Sequence, residues 1–249
     1  VRLYEAVKAA SDFAIALGIN IPTGKDSLSM TQKYPDGEKV LSPGTVIISA
    51  VAEVSDIRKV VKPVLAPEFT SSVIYLDFSA DRLKTGGSAL AQVLNTLGDE
   101  APTVADAGIF IRAFEAVQTL IRKDIVLAGH DISSGGLVTA LREMLFAQPG
   151  IGLDVDLDGF GESDIIKLLF SENPGVVLQV NDIDYASVLL QEAGLNFQIL
   201  GKPSFRRNLS LRCHDGIVEM EIDQLRKLWF KTSYLLDRQQ SGEDHARER

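Results

Sequence analysis

From residue 72 onward, short β-branched, apolar runs alternate with segments whose apolar residues recur at helical spacing. That alternation restricts the chain to helices packed on a sheet. Ser72–Phe78 (SVIYLDF), Ile125–Ala128, Leu153–Leu157, Val176–Val180 and Phe197–Leu200 read as strands. Between them, Ala89–Leu97, Ala107–Lys123, a segment with Leu137, Leu141, Met144 and Leu145 facing inward, Ser163–Phe170 and Asp182–Ala193 read as helices. The expected fold class is α/β or α+β, a mixed sheet packed with helices.

The first 66 residues have a different texture. Leu3, Ala6, Val7, Ala10, Phe13, Ala14 and Leu17 form one face of a helix that stops at Gly18. A loop with Pro22 and Gly24 follows, then a turn at Pro35-Asp36-Gly37, and then Thr45–Val54 (TVIISAVAEV), expected to be a strand buried on at least one face. Pro63 and Pro67 mark a linker, which places a domain boundary near residue 66. The expected organisation is 1–66, then 67–236, then a polar tail from 237 to 249 in which apolar content falls to Ala246 alone after Gln239. The chain opens at Val1, already inside a helical pattern, and is expected to be a piece of something longer.

Composition excludes several classes. With 249 residues, 45% of them hydrophobic, the chain is long enough for a large core and is not disordered overall. Its net charge of −9 repels phosphate backbones, which argues against non-specific nucleic-acid binding and leaves room for a local site for a small phosphate ligand. No apolar run approaches the roughly 20 residues of a membrane span. The single cysteine, Cys213, cannot close an internal disulfide, and His130, His214 and His245 are too scattered for a zinc site, so a reducing, cytoplasmic setting is expected.

The strongest chemical signal is Gly129–Gly136 (GHDISSGG), where strand, tight turn and helix start follow one another. A helix N-terminus offers unpaired amides and a positive dipole end, so such a turn can cradle phosphate, with Asp131 holding Mg²⁺ and Ser133 donating a hydrogen bond. The alternative, of equal weight on local chemistry, is that Asp131 or Ser133 caps the helix while Gly135 and Gly136 permit close packing. His130 reads as a packed, hydrogen-bonded histidine. Gly24–Met30 (GKDSLSM) departs from a P-loop in spacing and in having Asp26 at the hydroxyl position, yet Lys25, Asp26, Ser27 and Ser29 can line an anionic-ligand site or a solvated turn. Gly86, Gly87 and Ser88 form either a phosphate contact or an ordinary helix start, and Ser171-Glu172-Asn173-Pro174-Gly175 is a polar turn before a strand. Cys213 beside His214 reads as a half-buried pair rather than a nucleophile with its base.

Taken in order, ALGINIPTGKDSLSM, LSPGTVIISAVAEVSDIRK, GGSALAQV, GHDISSGG and FSENPGVVLQV resemble the large, single-chain phosphoribosylformylglycinamidine synthase family over roughly residues 1–236. The resemblance implies an ATP-dependent, glutamine-using C–N ligase of purine biosynthesis, whose synthetase part is a tandem duplication of an aminoimidazole ribonucleotide synthetase-like unit. It implies that 1–66 end the second N-terminal-like half, that 67–236 form the second C-terminal-like half, and that the tail leads to a glutaminase. By motif, Asp131 would bind Mg²⁺ and Ser133, Gly135 and Gly136 an auxiliary ATP or ADP, with the other metal ligands and the main catalytic residues outside this chain. Ser134 stands where many members carry aspartate (HD-x-SDGG). The alternatives are another ATP-using relative, such as selenophosphate synthetase or thiamine-monophosphate kinase, and a ligand-free structural module in which GHDISSGG only caps a helix.

Overall fold

The computed structural model describes residues 2–25, 30–42, 44–214 and 216–248, which fall into two compact units, up to Ile57 and from Arg58 on. In the first unit, helix α1 (Arg2–Leu17) ends at Gly18, and strands β1 (Thr31–Lys33) and β2 (Lys39–Leu41) pair as a hairpin around the expected turn at Pro35-Asp36-Gly37. None of its described residues is buried. The strand expected over Thr45–Val54 is absent: these residues join no ladder, and Val46, Ile47, Ile48, Val51 and Val54 are 60–100% exposed. Strand propensity expresses itself only where a pleated neighbour supplies a ladder and a face to pack on, and among the described residues no strand pairs with this segment.

The second unit contains β3 (Ser72–Asp77), α2 (Ala89–Val93), α3 (Ala107–Arg122), β4 (Val126–Asp131), α4 (Gly136–Phe146), β5 (Gly152–Asp156), α5 (Ile165–Phe170) and β6 (Gly175–Val180). It continues with α6 (Ile183–Glu192), β7 (Phe197–Ser204), β8 (Asn208–Cys213), β9 (Gly216–Glu221), α7 (Ile222–Ser241) and α8 (Glu243–Glu248). The seven strands form one mixed sheet in the order β4-β6-β3-β7-β5-β8-β9, antiparallel throughout except for the parallel pair β5–β8. Alternation along β3 divides the core in two. Val73 and Tyr75 pack with α4 and α5, while Ile74 and Leu76 pack with α3 and α6 on the opposite face.

The two compact units divide after Ile57, and the proline-bearing segment that follows is part of the second unit's packing. Leu65 is fully buried and its amide donates to the Met144 carbonyl at 2.8 Å, while the Gly129 amide donates to the Lys62 carbonyl at 3.1 Å. Helix α2 stops at Val93, short of the expected Leu97, as the chain turns through Asn95 at a φ of 54°. Residues expected in the tail are helical: α7 runs to Ser241 and α8 returns against it, with the Tyr234 hydroxyl donating to Glu243 at 2.7 Å and Ala246 buried.

Candidate functional site

Strand β4 runs further than the sequence suggests and carries His130 and Asp131 in its ladder, opposite Val177 and Val176. The turn proper is therefore only residues 132–135. The Ile132 amide donates to the Gly175 carbonyl at 2.8 Å, which buries its side chain, and Gly135 opens α4 in the left-handed region at a φ of 89°. Gly136 is also left-handed, and a β-carbon there would lie 2.7 Å from the carbonyl oxygens of both Leu169 and Ser171. Close approach to the segment before β6 thus requires glycine at 136, while at 135 the left-handed backbone and the Thr139 hydroxyl, 2.3 Å from where a β-carbon would lie, favour it.

At this end of the sheet, three of the polar segments read from the sequence come together. Glu172 Oε1 accepts from the Gly135 amide at 2.8 Å and from the Ala89 amide, the first of α2, at 2.7 Å. Asn173, buried, donates from Nδ2 to Ser79 Oγ at 3.1 Å and to the Arg82 carbonyl at 3.0 Å, and its Oδ1 accepts from the Lys84 amide at 3.1 Å. Asp81, Lys84 and Thr103 close the outer side of the 79–89 loop. The Lys84 ammonium, followed by the Thr103 hydroxyl, pulls the Asp81 carboxyl down to about 2.

The candidate ligand groups differ in what they have left to offer. The Asp131 carboxylate is 73% exposed, with His130 Nδ1 3.4 Å away, and Ser133 and Ser134 are exposed. The Gly136 amide is spent on the Ser133 carbonyl at 3.0 Å and that of Gly135 on Glu172. The loop at Gly86, Gly87 and Ser88 is closed in the same way: the three amides donate to the carbonyls of Glu100, Leu97 and Thr85, and Ser88 Oγ caps α2 by accepting from the Ala91 amide at 3.2 Å. Lys25 is exposed in the first unit, and Asp26, Ser27 and Ser29 lie outside the described residues.

His130 is a held residue. Its Nδ1 donates to the Asp131 carbonyl at 2.7 Å and its Nε2 lies 2.9 Å from the Glu143 carboxylate. Tyr75, buried beside Phe160, has its phenol pushed well above the ordinary range by burial and then by the Asp77 charge. Cys213 donates to the Gly216 carbonyl at 3.5 Å while His214 faces Asp158 at 3.1 Å, so the adjacent pair serves different partners.

Among the described residues, no cluster of three or more His, Cys, Asp or Glu is arranged to hold a metal ion. Asp131 can therefore supply one ligand of a cation and not a complete cage. Magnesium suits that donor set, since it keeps several waters and takes one or two carboxylates together with phosphate oxygens.

A mixed sheet covered by helices on both faces, with a glycine turn and an exposed carboxylate at one end, defines an α/β domain. Residues 72–213 match the AIR synthase related protein, C-terminal domain, and residues 1–53 match the FGAR-AT PurM_N-like domain. The chain belongs to the AIR synthase-related family. It is 38% identical over 249 residues to phosphoribosylformylglycinamidine synthase of Homo sapiens, a match covering 96% of this chain and 18% of the human protein. It is 36% identical over 244 residues to the probable chloroplastic/mitochondrial phosphoribosylformylglycinamidine synthase of Arabidopsis thaliana, covering 96% of this chain and 17% of that one. The chain thus spans less than a fifth of the length of these relatives. Among solved structures, T. maritima PurL complexed with FGAR aligns over 86% of this chain and 36% of its own, with a TM-score of 0.56 at 16% identity. T. maritima PurL complexed with ATP aligns over 68% and 28%, with a TM-score of 0.52 at 16% identity. These likenesses establish the fold. No helix among the described residues is long and apolar enough to cross a membrane.

Proposed function

We propose that the chain is the second C-terminal synthetase half, with the end of the preceding N-terminal half, of a phosphoribosylformylglycinamidine synthase. The observation that carries this reading is the 36–38% identity to such synthases across 96% of the chain. The whole enzyme would join formylglycinamide ribonucleotide to glutamine-derived ammonia at the expense of ATP in purine biosynthesis. Its partners would be the other domains of one longer polypeptide, the upstream synthetase halves and a downstream glutaminase. A reducing, cytoplasmic compartment suits a chain with one half-buried cysteine and no disulfide.

Within that enzyme, the chain contributes an auxiliary Mg-nucleotide site and does not catalyse alone. Asp131 holds the magnesium ion, which when bound neutralises phosphate charge; Ser133, exposed at the turn, donates to the nucleotide. Gly135, in the left-handed region, and Gly136, by close approach, shape the turn, and the 86–88 loop stands beside it through Glu172. The Lys25, Asp26, Ser27 and Ser29 segment is proposed to line substrate or nucleotide. Calorimetric titration with ADP and Mg²⁺ tests the site. Saturable, magnesium-dependent binding that falls by roughly tenfold or more in Asp131→Ala is expected, the loss of one charged ligand being worth over about 1.4 kcal/mol. Equal affinity in the variant would refute the assignment of Asp131.

A further inference from the structure

Two turns that the sequence offers as ligand contacts lie far apart in the chain, Gly86–Ser88 before α2 and Ile132–Gly135 before α4, and among the described residues no hydrogen bond joins them directly. They meet through one atom. Glu172 Oε1 receives the Ala89 amide at 2.7 Å and the Gly135 amide at 2.8 Å. Neither turn completes its own cap: Ser88 Oγ serves the Ala91 amide and leaves that of Ala89, and Gly135 has no side chain to offer α4. A carboxylate is the acceptor best suited to two amides at helix starts, where the dipole adds to a charge-assisted bond.

The arm that carries this carboxylate is fixed from behind. Ser171 and Asn173, on either side of it, are buried, and both accept from the Lys84 amide, at 3.2 and 3.1 Å. Asn173 Nδ2 adds the bonds to Ser79 and Arg82. Gly136 in turn rests against the Ser171 carbonyl too closely for any β-carbon. Glu172 is therefore built in from both sides, at a position that presents its head group to the two turns at once.

We propose that Glu172 is a positioning residue that couples the two turns, so that the placement of Ser133 depends on the state of the 86–89 loop. This rests on the nucleotide reading above only for its consequence in binding; the coupling itself is independent of any ligand. The carboxylate occupies the amide at the mouth of α4, which leaves the exposed serines, rather than the glycine amides, to face an incoming phosphate.

The test is amide exchange by NMR on the chain together with titration by Mg-ADP. Glu172→Ala should speed exchange at both Gly135 and Ala89 by about tenfold, while Glu172→Gln, which keeps an oxygen acceptor, should stay within about threefold of the parent. Ser88→Ala loosens α2, and it should also speed exchange at Gly135 in the parent but not in the Glu172→Ala background. Should Glu172→Ala fail to fold, Glu172→Asp, one methylene shorter, should loosen the two amides together. Mg-ADP affinity should fall about tenfold in Glu172→Ala and be restored in Glu172→Gln at unchanged thermal stability. Exchange at Gly135 that ignores Glu172, or a Ser88→Ala effect that survives without the carboxylate, would overturn the coupling. Tighter nucleotide binding in Glu172→Ala would also overturn it, by showing that the carboxylate merely blocks the turn. If the parent does not bind Mg-ADP, the same titration on the longer polypeptide that carries the preceding half decides the nucleotide reading, and the exchange results on this chain decide the role of Glu172 in either case.

Discussion

Gln179 sits fully buried in the middle of β6, among Val177, Leu178 and Val180, and every polar atom of its amide is used. Oε1 accepts from the Ala66 amide at 2.7 Å, and Nε2 donates to the Ala66 carbonyl at 2.9 Å and to Ser71 Oγ at 2.8 Å. The side chain stands in for a strand neighbour and fastens the segment before β3. Gln179→Ala should cost about 2–3 kcal/mol in denaturant unfolding, because it strands the two partly buried backbone groups of Ala66 as well as opening a void. A loss under about 0.5 kcal/mol would mean that water replaces the amide there. Nothing in the run GVVLQV announces this partnership, since its other half lies 113 residues away. The strand, tight turn and helix start around Asp131 and Ser133 stand out in the sequence because they form a local pattern. Glu172 was visible only as a carboxylate in a turn, and its two amide partners come from distant turns that no local spacing could reveal.

Among the elements, the sheet and its covering helices follow from periodicity, and the departures occur where an element depends on something outside itself. Helix α3 keeps its expected length because Asp106 caps it and its apolar face is buried. Residues 45–54 carry the strongest strand signal in the first unit and form no strand, since propensity cannot provide a ladder partner. Strand β9 and helix α7 have no clear signature in the sequence: β9 is an edge strand whose first four residues are exposed, and past Ile222 α7 is largely exposed, so neither has the alternating burial that leaves a clear pattern. The 79–103 loop holds its form through charge. The Asp81 carboxyl, held at about 2 against about 3.9 when unfolded, contributes stability that is present above about pH 4 and is lost as pH falls through about 2. The difference in unfolding midpoint between the parent and Asp81→Asn should accordingly shrink from pH 5 toward pH 2, both taken as approximate limits. A difference that stays constant over that range would show that the ion pair with Lys84 does not hold the loop.

At the scale of the molecule, burial among the described residues is confined to one side of the boundary at Ile57. A segment that buries no side chain has little to resist local opening, whereas the seven-stranded unit must open cooperatively. Brief proteolysis should therefore cut first within residues 44–57 and leave a fragment beginning near Arg58 that unfolds at the same denaturant concentration as the parent. Cleavage inside 72–213 at a comparable rate would contradict this. The same asymmetry accords with the proposed place of the chain within a polypeptide more than five times its length.

The sheet order has a consequence for the way the chain is made. Strand β3 lies between β6 and β7, so the third strand in sequence has both edges filled by strands from the last third of the chain. A ribosome adding roughly 5–20 residues per second needs on the order of 5–20 s between finishing β3 and delivering β6. Through that interval Val73, Ile74, Tyr75 and Leu76 are exposed, with both backbone edges open to any passing strand. The innermost strand of the finished protein is thus its most vulnerable segment during synthesis, and the seconds before residue 175 emerges are when a nascent-chain chaperone has most to protect.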